Sequence, residues 1–165
     1  MHYNLKQFTK RITINADKEI IYRSWATQAG LENWFLRLAE FSKPDRSLRN
    51  RNEFVQQGDK YKWLWFGYDD SLAEENEILF ANGNDQLHFS FSGGCIVKIS
   101  VKQEDGEMVC ELNQTMPMDD EKAQRYFFIE CGKGWTFYLA NLKSILEGGL
   151  DLRNKNMNIA NVVNA

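Results

Sequence analysis

Apolar side chains in the last third of the chain recur every three to four residues, and this spacing predicts one long helix over about residues 119–147. Gly148-Gly149 follows and is typical of a helix end. The recurring positions form a continuous apolar face made of Phe128, Cys131, Trp135, Tyr138, Leu142 and Ile145. A helix with one apolar face buries it against a partner, so the rest of the chain has to supply that partner.

The preceding segments alternate between apolar and polar residues, which is the period of half-buried strands. The first of them covers residues 8–14, and a short one covers residues 77–80. The remaining apolar positions are Tyr61, Trp63 and Trp65; Leu87, Phe89 and Phe91; Val97, Ile99 and Val101; and Met108, Cys110 and Leu112. Tight turns separate them at Gln57-Gly58-Asp59, Asn82-Gly83-Asn84-Asp85, Gly93-Gly94 and Glu104-Asp105-Gly106. Consecutive hairpins agree on the apolar face, which predicts about six antiparallel strands before the long helix.

Two helical segments are predicted between the first strand and this meander. Asn15 or Asp17 can cap a helix that runs to about Gln28, and Gly30 is expected to end it. Residues 31–36 are read as a second short helical turn, and residues 42–52 as a surface loop. This order of strands and helices along the chain predicts an α+β domain over residues 1–149. An asparagine-rich tail, 150–165, follows and is either loosely docked or disordered.

Composition narrows the possible functions. A net charge of −3, with acidic and basic residues mixed, gives no basis for binding nucleic acid. No apolar run approaches the roughly 20 residues that cross a bilayer, so we expect no membrane insertion. Three widely spaced cysteines, Cys95, Cys110 and Cys131, are interpreted as core thiols of a cytoplasmic protein. The content of five Trp, six Tyr and eleven Phe exceeds what a core of this size needs.

Several motifs together resemble the START-like, helix-grip superfamily (SRPBCC), and within it the proteins related to the activator of heat-shock protein 90 ATPase. The motifs are Ala16-Asp17-Lys18-Glu19 with Trp25, Asn33-Trp34-Phe35, Gly58 leading into Tyr61, Trp63 and Trp65, and Gly134-Trp135 with Leu139, Leu142 and Leu146-Glu147-Gly148. The resemblance implies a curved antiparallel sheet of about seven strands wrapped around the C-terminal helix, with a hydrophobic cavity between them. Members of the superfamily include lipid and small-molecule binders, cyclases and chaperone cofactors.

This chain departs from the pattern of the superfamily in its last helix. Gly132 stands there in addition to Gly134, and a glycine inside a helix costs roughly 1 kcal/mol relative to alanine. We expect a bend of the helix or a close approach to the sheet at this point. The well-known activator also has a further N-terminal domain that contributes to chaperone binding, for which these 165 residues leave no room.

Catalytic signals are weak in the sequence. The histidines are His2, near the start, and His88, on the predicted polar face of a strand, so no serine–histidine–aspartate arrangement is expected. The histidines and cysteines lack the spacings of a metal site, and no cofactor is expected. Glu130 is a candidate acid or base, although its helical phase places it beside the apolar face. Arg46, Arg49 and Arg51 either bind an anionic ligand group or form a solvated surface.

Aromatic residues are the main candidates for a site. They could simply fill the core, or rings from opposite walls could hold the sheet and the helix apart around a cavity. On the second interpretation Trp34 and Phe35 form the entrance, and the walls are Tyr61, Trp63, Trp65, Phe89, Phe91, Trp135 and Tyr138. Leu64 and Phe66 fall on the opposite face, where they predict a homodimer contact, ordinary exposed apolar residues or a surface covered by the tail.

The sequence therefore favours a cytoplasmic, non-enzymatic protein that binds a small hydrophobic or amphipathic molecule. The alternatives are an interaction module, such as a co-chaperone or a stress-response partner of a chaperone, and a cyclase or hydrolase that uses the same pocket.

Overall fold

The computed structural model describes residues 4–163 and confirms an α+β architecture with helices on one side of an antiparallel sheet. Within these residues the elements are β1 (Gln7–Thr13), α1 (Lys18–Ala26), α2 (Gln28–Trp34), β2 (Leu38–Ser42), β3 (Lys60–Leu64), β4 (Glu74–Ala81), β5 (Gln86–Phe91), β6 (Cys95–Glu104), β7 (Glu107–Thr115) and α3 (Glu121–Leu146). Single 3-10 turns lie at Asp70–Leu72 and Ser92–Gly94.

The sheet has seven antiparallel strands: six form a meander, and the first strand of the chain is added at the edge beside the last. Its order is β1-β7-β6-β5-β4-β3-β2, so β2 to β7 follow one another through hairpins, and β1 pairs with β7. Buried positions alternate along β5 and β6, as the sequence period predicts. The curved sheet wraps around α3, so the predicted helix-grip architecture is confirmed. No helix among residues 4–163 is long and apolar enough to cross a membrane.

Both ends of α3 follow from local sequence. The Asp120 side chain accepts hydrogen bonds from the backbone N–H groups of Lys122 and Ala123, which have no partner within the helix. At the other end the Gly149 N–H donates to the Ser144 carbonyl at 2.6 Å, and Gly148 adopts a φ of 81° that glycine tolerates best. This hydrogen bond and the positive φ of Gly148 are those of a Schellman motif, which explains why Gly148-Gly149 marks the helix end.

The start of the chain differs from the sequence prediction. The first helix ends at Ala26 because Thr27 is extended, and the Thr27 hydroxyl caps α2 by accepting a bond from the Gly30 N–H. Gly30 therefore lies inside α2 and does not end the first helix, which is a correction. Strand β2 was not predicted, since its buried residues Ala39 and Phe41 give too short an alternation to recognise.

The loop of residues 42–52 is not simply a solvated surface, and Arg49 is not free to bind an anion. Arg49 is buried, and its guanidinium pairs with the fully buried Asp59 and with Glu53. Arg51 pairs with Glu32 at 2.6 Å. Leaving a buried charge without its partner is costly, so the Arg49–Asp59 pair fixes this loop against the start of β3.

Gly30 and Gly132 form a matched pair for a stability test. A Cβ at Gly30 would lie 2.2 Å from the Arg23 carbonyl oxygen, whereas a Cβ at Gly132 would meet nothing within 4 Å. Of the two expectations for Gly132, a close approach to the sheet is therefore wrong, and a bend of the helix stays a prediction. We predict that Gly30→Ala lowers the free energy of unfolding by about 1–3 kcal/mol. Gly132→Ala should raise the same quantity by about 0.5–1 kcal/mol, because alanine favours the helix.

Urea denaturation followed by circular dichroism measures both changes. A Gly30→Ala variant as stable as the unmodified protein would contradict the close approach of Gly30 to the Arg23 carbonyl of α1.

Candidate functional site

The predicted aromatic residues come together in one continuous cluster. Phe35, immediately after α2, lies at its centre: its ring centroid is 5.1 Å from that of Trp135 and 4.8 Å from that of Tyr138. The remaining contacts connect Trp34, Trp63 and Trp65 to Phe35, Tyr61 and Phe89 to Trp63, and Phe91 to Trp135. Two helices, α2 and α3, and two strands, β3 and β5, together with the residues that directly follow α2 and β3, thus contribute rings to one cluster.

A cavity of about 390 Å³ lies beside this cluster, between residues 126–138 of α3 on one side and the β3–β4 connection, the start of β4 and the end of β5 on the other. Of the predicted residues, Phe35, Trp65, Phe91, Trp135 and Tyr138 line it. The other four, Trp34, Tyr61, Trp63 and Phe89, are buried behind the lining. Their role is therefore to support the wall of the cavity.

The cavity exists because α3 is buried unequally along its length. Trp135, Tyr138, Leu139 and Leu142 are each at most 3% exposed, so this part of the helix packs tightly. Towards the N-terminus, Phe127, Phe128 and Cys131 are only half-buried, and Tyr126 is 61% exposed. The space left beneath this part of the helix is the cavity.

The entrance differs from the prediction. Trp34 and Phe35 are buried, because the Trp34 indole N–H donates to the Ser24 carbonyl and holds α2 inward. The exposed aromatic and aliphatic residues of the lining are instead Tyr68, Leu72 and Tyr126. No sequence signal distinguished Tyr68 and Leu72 from other loop residues. Tyr126 and Ile129 are both exposed apolar residues of α3, and of these two Tyr126 lines the cavity.

Phe127 is a further lining residue that the sequence did not reveal. Its ring packs directly on the backbone of Gly93 in the β5–β6 turn, where a Cβ would lie 2.1 Å from the ring. Gly93 also has a φ of 68°. Gly93 therefore serves a second purpose besides turning the chain, which is to let α3 approach this turn.

Polar groups enter the cavity at a few points. Ser92, Glu74, Glu130 and Cys131 belong to its lining. The Trp135 indole N–H donates to the buried Gln114 side chain on β7 at 2.7 Å, which fixes the orientation of the ring. Burial raises the pKa of Tyr138, so its hydroxyl stays protonated and can donate a hydrogen bond at neutral pH.

The cysteines are poor nucleophiles in this environment. Burial raises the pKa of Cys95 to about 11 and that of Cys110 to about 12. It also raises the pKa of Cys131, the one cysteine that lines the cavity. Because the thiolate is the reactive form, thiols of this kind are inert at neutral pH.

The other candidate catalytic groups lie away from the cavity or are already paired. His88 alternates with the inward-facing Leu87 and Phe89 and contacts Phe80 on the outer face. Glu130 is half exposed and pairs with Lys133 at 2.9 Å. Within residues 4–163, no group of His, Cys, Asp and Glu residues could hold a metal ion.

The segment after α3 supports one side of the cluster. The buried Arg153 guanidinium donates to the carbonyls of Glu32, Asn33 and Leu36 at the end of α2, and it pairs with Asp151. This cation binds carbonyl groups that the helix leaves without partners. Asn141 of α3 donates to the Trp34 carbonyl and to Asp151, so α2, α3 and the tail are tied together.

The same segment covers the outer face next to β3. Arg153 and Lys155 lie over the Phe66 ring, and Leu64 is only 6% exposed. The predicted exposure of Leu64 is therefore wrong, and the tail covers the ring of Phe66. A homodimer contact at this face stays a prediction. The division into a domain, 1–149, and a tail, 150–165, stays a prediction.

Comparison with known proteins shows similarity of structure without similarity of sequence. Neither the protein-family models nor the curated proteins contain a match. A protein from Staphylococcus saprophyticus superposes with a TM-score of 0.68 at 15% identity, over 89% of this chain and 96% of its own. The Aha1 dimer from Colwellia psychrerythraea superposes with a TM-score of 0.64 at 17% identity, over 87% of this chain and 97% of its own. CalU16 from Micromonospora echinospora superposes with a TM-score of 0.64 at 16% identity, over 92% of this chain and 78% of its own.

These neighbours and the observed topology show the fold of the chain. It is a helix-grip fold, which is the architecture that the resemblance to START-like proteins implied.

Arg153 and Lys155 provide a test of the docked tail, because both pair with Asp151 but only Arg153 is buried. We predict that Arg153→Met lowers the free energy of unfolding by about 3 kcal/mol, since Asp151 and three carbonyl groups lose a buried partner. Lys155→Met should cost less than about 1 kcal/mol, as is usual for an exposed ion pair.

Denaturation in urea, with tryptophan fluorescence as the signal, compares the two variants. Equal, small effects would show that the segment after α3 contributes nothing to the stability of the fold.

Proposed function

We propose that this protein binds a small hydrophobic or amphipathic molecule in the cavity between the sheet and the first part of α3, without catalysing a reaction on it. The cavity itself is the observation that carries the proposal. Its volume of about 390 Å³ lies within the range of roughly 300–1,000 Å³ that is usual for small-molecule sites. Rings supply most of the lining, with a few hydroxyl and carboxyl groups among them.

The surroundings of the cavity support binding rather than core filling alone. Tyr68, Leu72 and Tyr126 keep between 41% and 61% of their surface exposed while they line the cavity. Exposed apolar side chains around an apolar opening are typical of ligand entrances. The hydroxyl groups of Tyr68, Tyr126 and Tyr138 can orient a polar end of the ligand.

The absence of catalysis is proposed from the state of the groups in the cavity. The thiol of Cys131 is held protonated by burial, and the Ser92 hydroxyl donates to Glu74 without a histidine beside it. A serine or cysteine nucleophile needs an adjacent base that is oriented by a third group. We place the protein in the cytoplasm, because Cys95, Cys110 and Cys131 are all free thiols.

A second candidate function is that of an interaction module, with a chaperone or a second copy of the chain as its partner. The neighbour from Colwellia psychrerythraea, which is described as the Aha1 dimer, favours this candidate. In an interaction module the cavity would have no role in function, and partner binding would not depend on the residues that line it. Dye binding that responds to the lining residues separates the two candidates.

The proposal predicts saturable binding of Nile red, a neutral dye that fluoresces in apolar surroundings, at micromolar protein concentration. Tyr126 and Ile129 are both exposed apolar residues of α3, but only Tyr126 lines the cavity. We predict that Tyr126→Ser weakens the dye about three- to tenfold, because an aromatic contact is worth on the order of 1 kcal/mol. Ile129→Ser should leave the affinity within about twofold.

Fluorescence titration gives both dissociation constants. Non-saturable dye binding, or equal losses in the two variants, would contradict binding in this cavity.

A further inference from the structure

The charges in the lining of the cavity have one sign. Among the residues that the structure describes, Glu74 and Glu130 are the charged members of the lining, and both are acidic. Glu130 is compensated by Lys133 at the exposed surface of α3. Glu74 forms no ion pair within residues 4–163, although it belongs to the wall of an otherwise aromatic cavity.

Strand register places Glu74 on the concave face of the sheet. Glu74 lies directly opposite Trp63 in the antiparallel pair of β3 and β4, and directly opposite residues point to the same face. Trp63 is 1% exposed and belongs to the core. The neighbouring Glu75 alternates to the other face, where it lines a polar groove with Lys62 and Glu77.

The carboxylate of Glu74 is held in position by two neutral donors. The Ser92 hydroxyl donates to one of its oxygens, and the Asn76 side-chain amide donates to the other. Neither donor carries a charge, so the negative charge is oriented but not neutralised. An ionised carboxylate has about four acceptor positions, which leaves capacity for a further donor.

The field of this carboxylate reaches across the cavity to α3. Burial raises the pKa of Cys131, and the charge of Glu74 contributes in the same direction. Cys131 stands on the opposite wall from β4. A ligand between the two walls therefore experiences a negative potential.

Aromatic faces favour the same kind of ligand. Eight of the lining residues are aromatic, including Trp65, Trp135 and the tyrosines Tyr68, Tyr126 and Tyr138. The face of an aromatic ring carries partial negative charge and attracts ammonium groups, most strongly for tryptophan and tyrosine. Rings and an unpaired carboxylate in one cavity are complementary to an organic cation and repel an organic anion.

We infer that the ligand is a cationic amphiphile, namely an amine or ammonium group on an apolar body, with its charge at Glu74 and its apolar part against the aromatic wall. This inference rests on the proposed function, because it names the chemical class that the same cavity selects. Anionic amphiphiles such as fatty acids are the class that the cavity excludes.

Three ligands with the same ten-carbon chain test the inference: decylamine, decanol and decanoate. Isothermal titration calorimetry at low ionic strength and neutral pH gives their dissociation constants. We expect decylamine to bind at least about tenfold more tightly than decanol, and decanoate to bind most weakly. One molar salt should reduce the advantage of decylamine and leave decanol nearly unchanged, because salt screens only the charged interaction.

Glu74→Gln and Glu75→Gln are a matched pair of variants, since each removes one negative charge from β4. Glu74→Gln should reduce the preference for decylamine over decanol by about tenfold and leave decanol within about twofold. Glu75→Gln should change neither, because it faces the other side of the sheet.

The outcomes separate the two proposals. Binding of all three compounds with no preference for the amine, or with decanoate strongest, overturns the inference and leaves the cavity as a binding site. Failure of all three to bind contradicts the proposed function itself. The order of the three ligands on the unmodified protein and its dependence on salt decide the inference even if Glu74→Gln does not fold.

Discussion

The position of Trp135 determines the spacing between α3 and the sheet. Its indole N–H is fixed to Gln114 on β7, and its ring contacts Trp25 of α1, Phe35 after α2, and Phe91 of β5. A buried ring held by a hydrogen bond and surrounded by other rings cannot be displaced without losing several favourable contacts at once. From Trp135 onward the inward-facing residues of α3 are buried, whereas Phe127 and Cys131 before it are half-buried and line the cavity. The cavity is therefore a consequence of the contacts that fix Trp135 between α3 and the sheet.

The polar contacts around this cluster explain why the wall of the cavity can be rigid. Arg153 binds the free carbonyl groups at the end of α2, and Asn141 joins α2 to α3, so Phe35 is held from behind. On the other side of the cavity, Ser92 and Asn76 orient Glu74 within an apolar wall. A preformed site of this kind lowers the cost of ordering side chains when a ligand binds. The cost of keeping a carboxylate there is offset when the ligand brings a positive charge.

Sequence reasoning predicted the elements that rest on local periodicity and missed those that depend on contacts between distant segments. The α3 spacing, the Gly148-Gly149 end and the alternation in β5 to β7 are local, and the structure contains all of them. Strand β2 is short and is fixed by its pairing with β3. The inward direction of Glu74 follows from its register with Trp63, and the burial of Arg49 follows from Asp59, ten residues away. Of the aromatic residues, pattern alone could not separate those that line the cavity from those behind it, because both kinds occupy inward-facing positions.

The five tryptophans allow a direct measurement of where a ligand binds. Each contributes one indole N–H signal to a proton–nitrogen correlation spectrum, and Trp65 and Trp135 line the cavity whereas Trp25, Trp34 and Trp63 do not. We expect titration with decanol, as a neutral ligand, to shift the Trp65 and Trp135 signals along a saturable curve and to leave the other three nearly unchanged. Shifts confined to Trp25 and Trp34, or no saturable shift at all, would contradict a cavity between the sheet and the first part of α3.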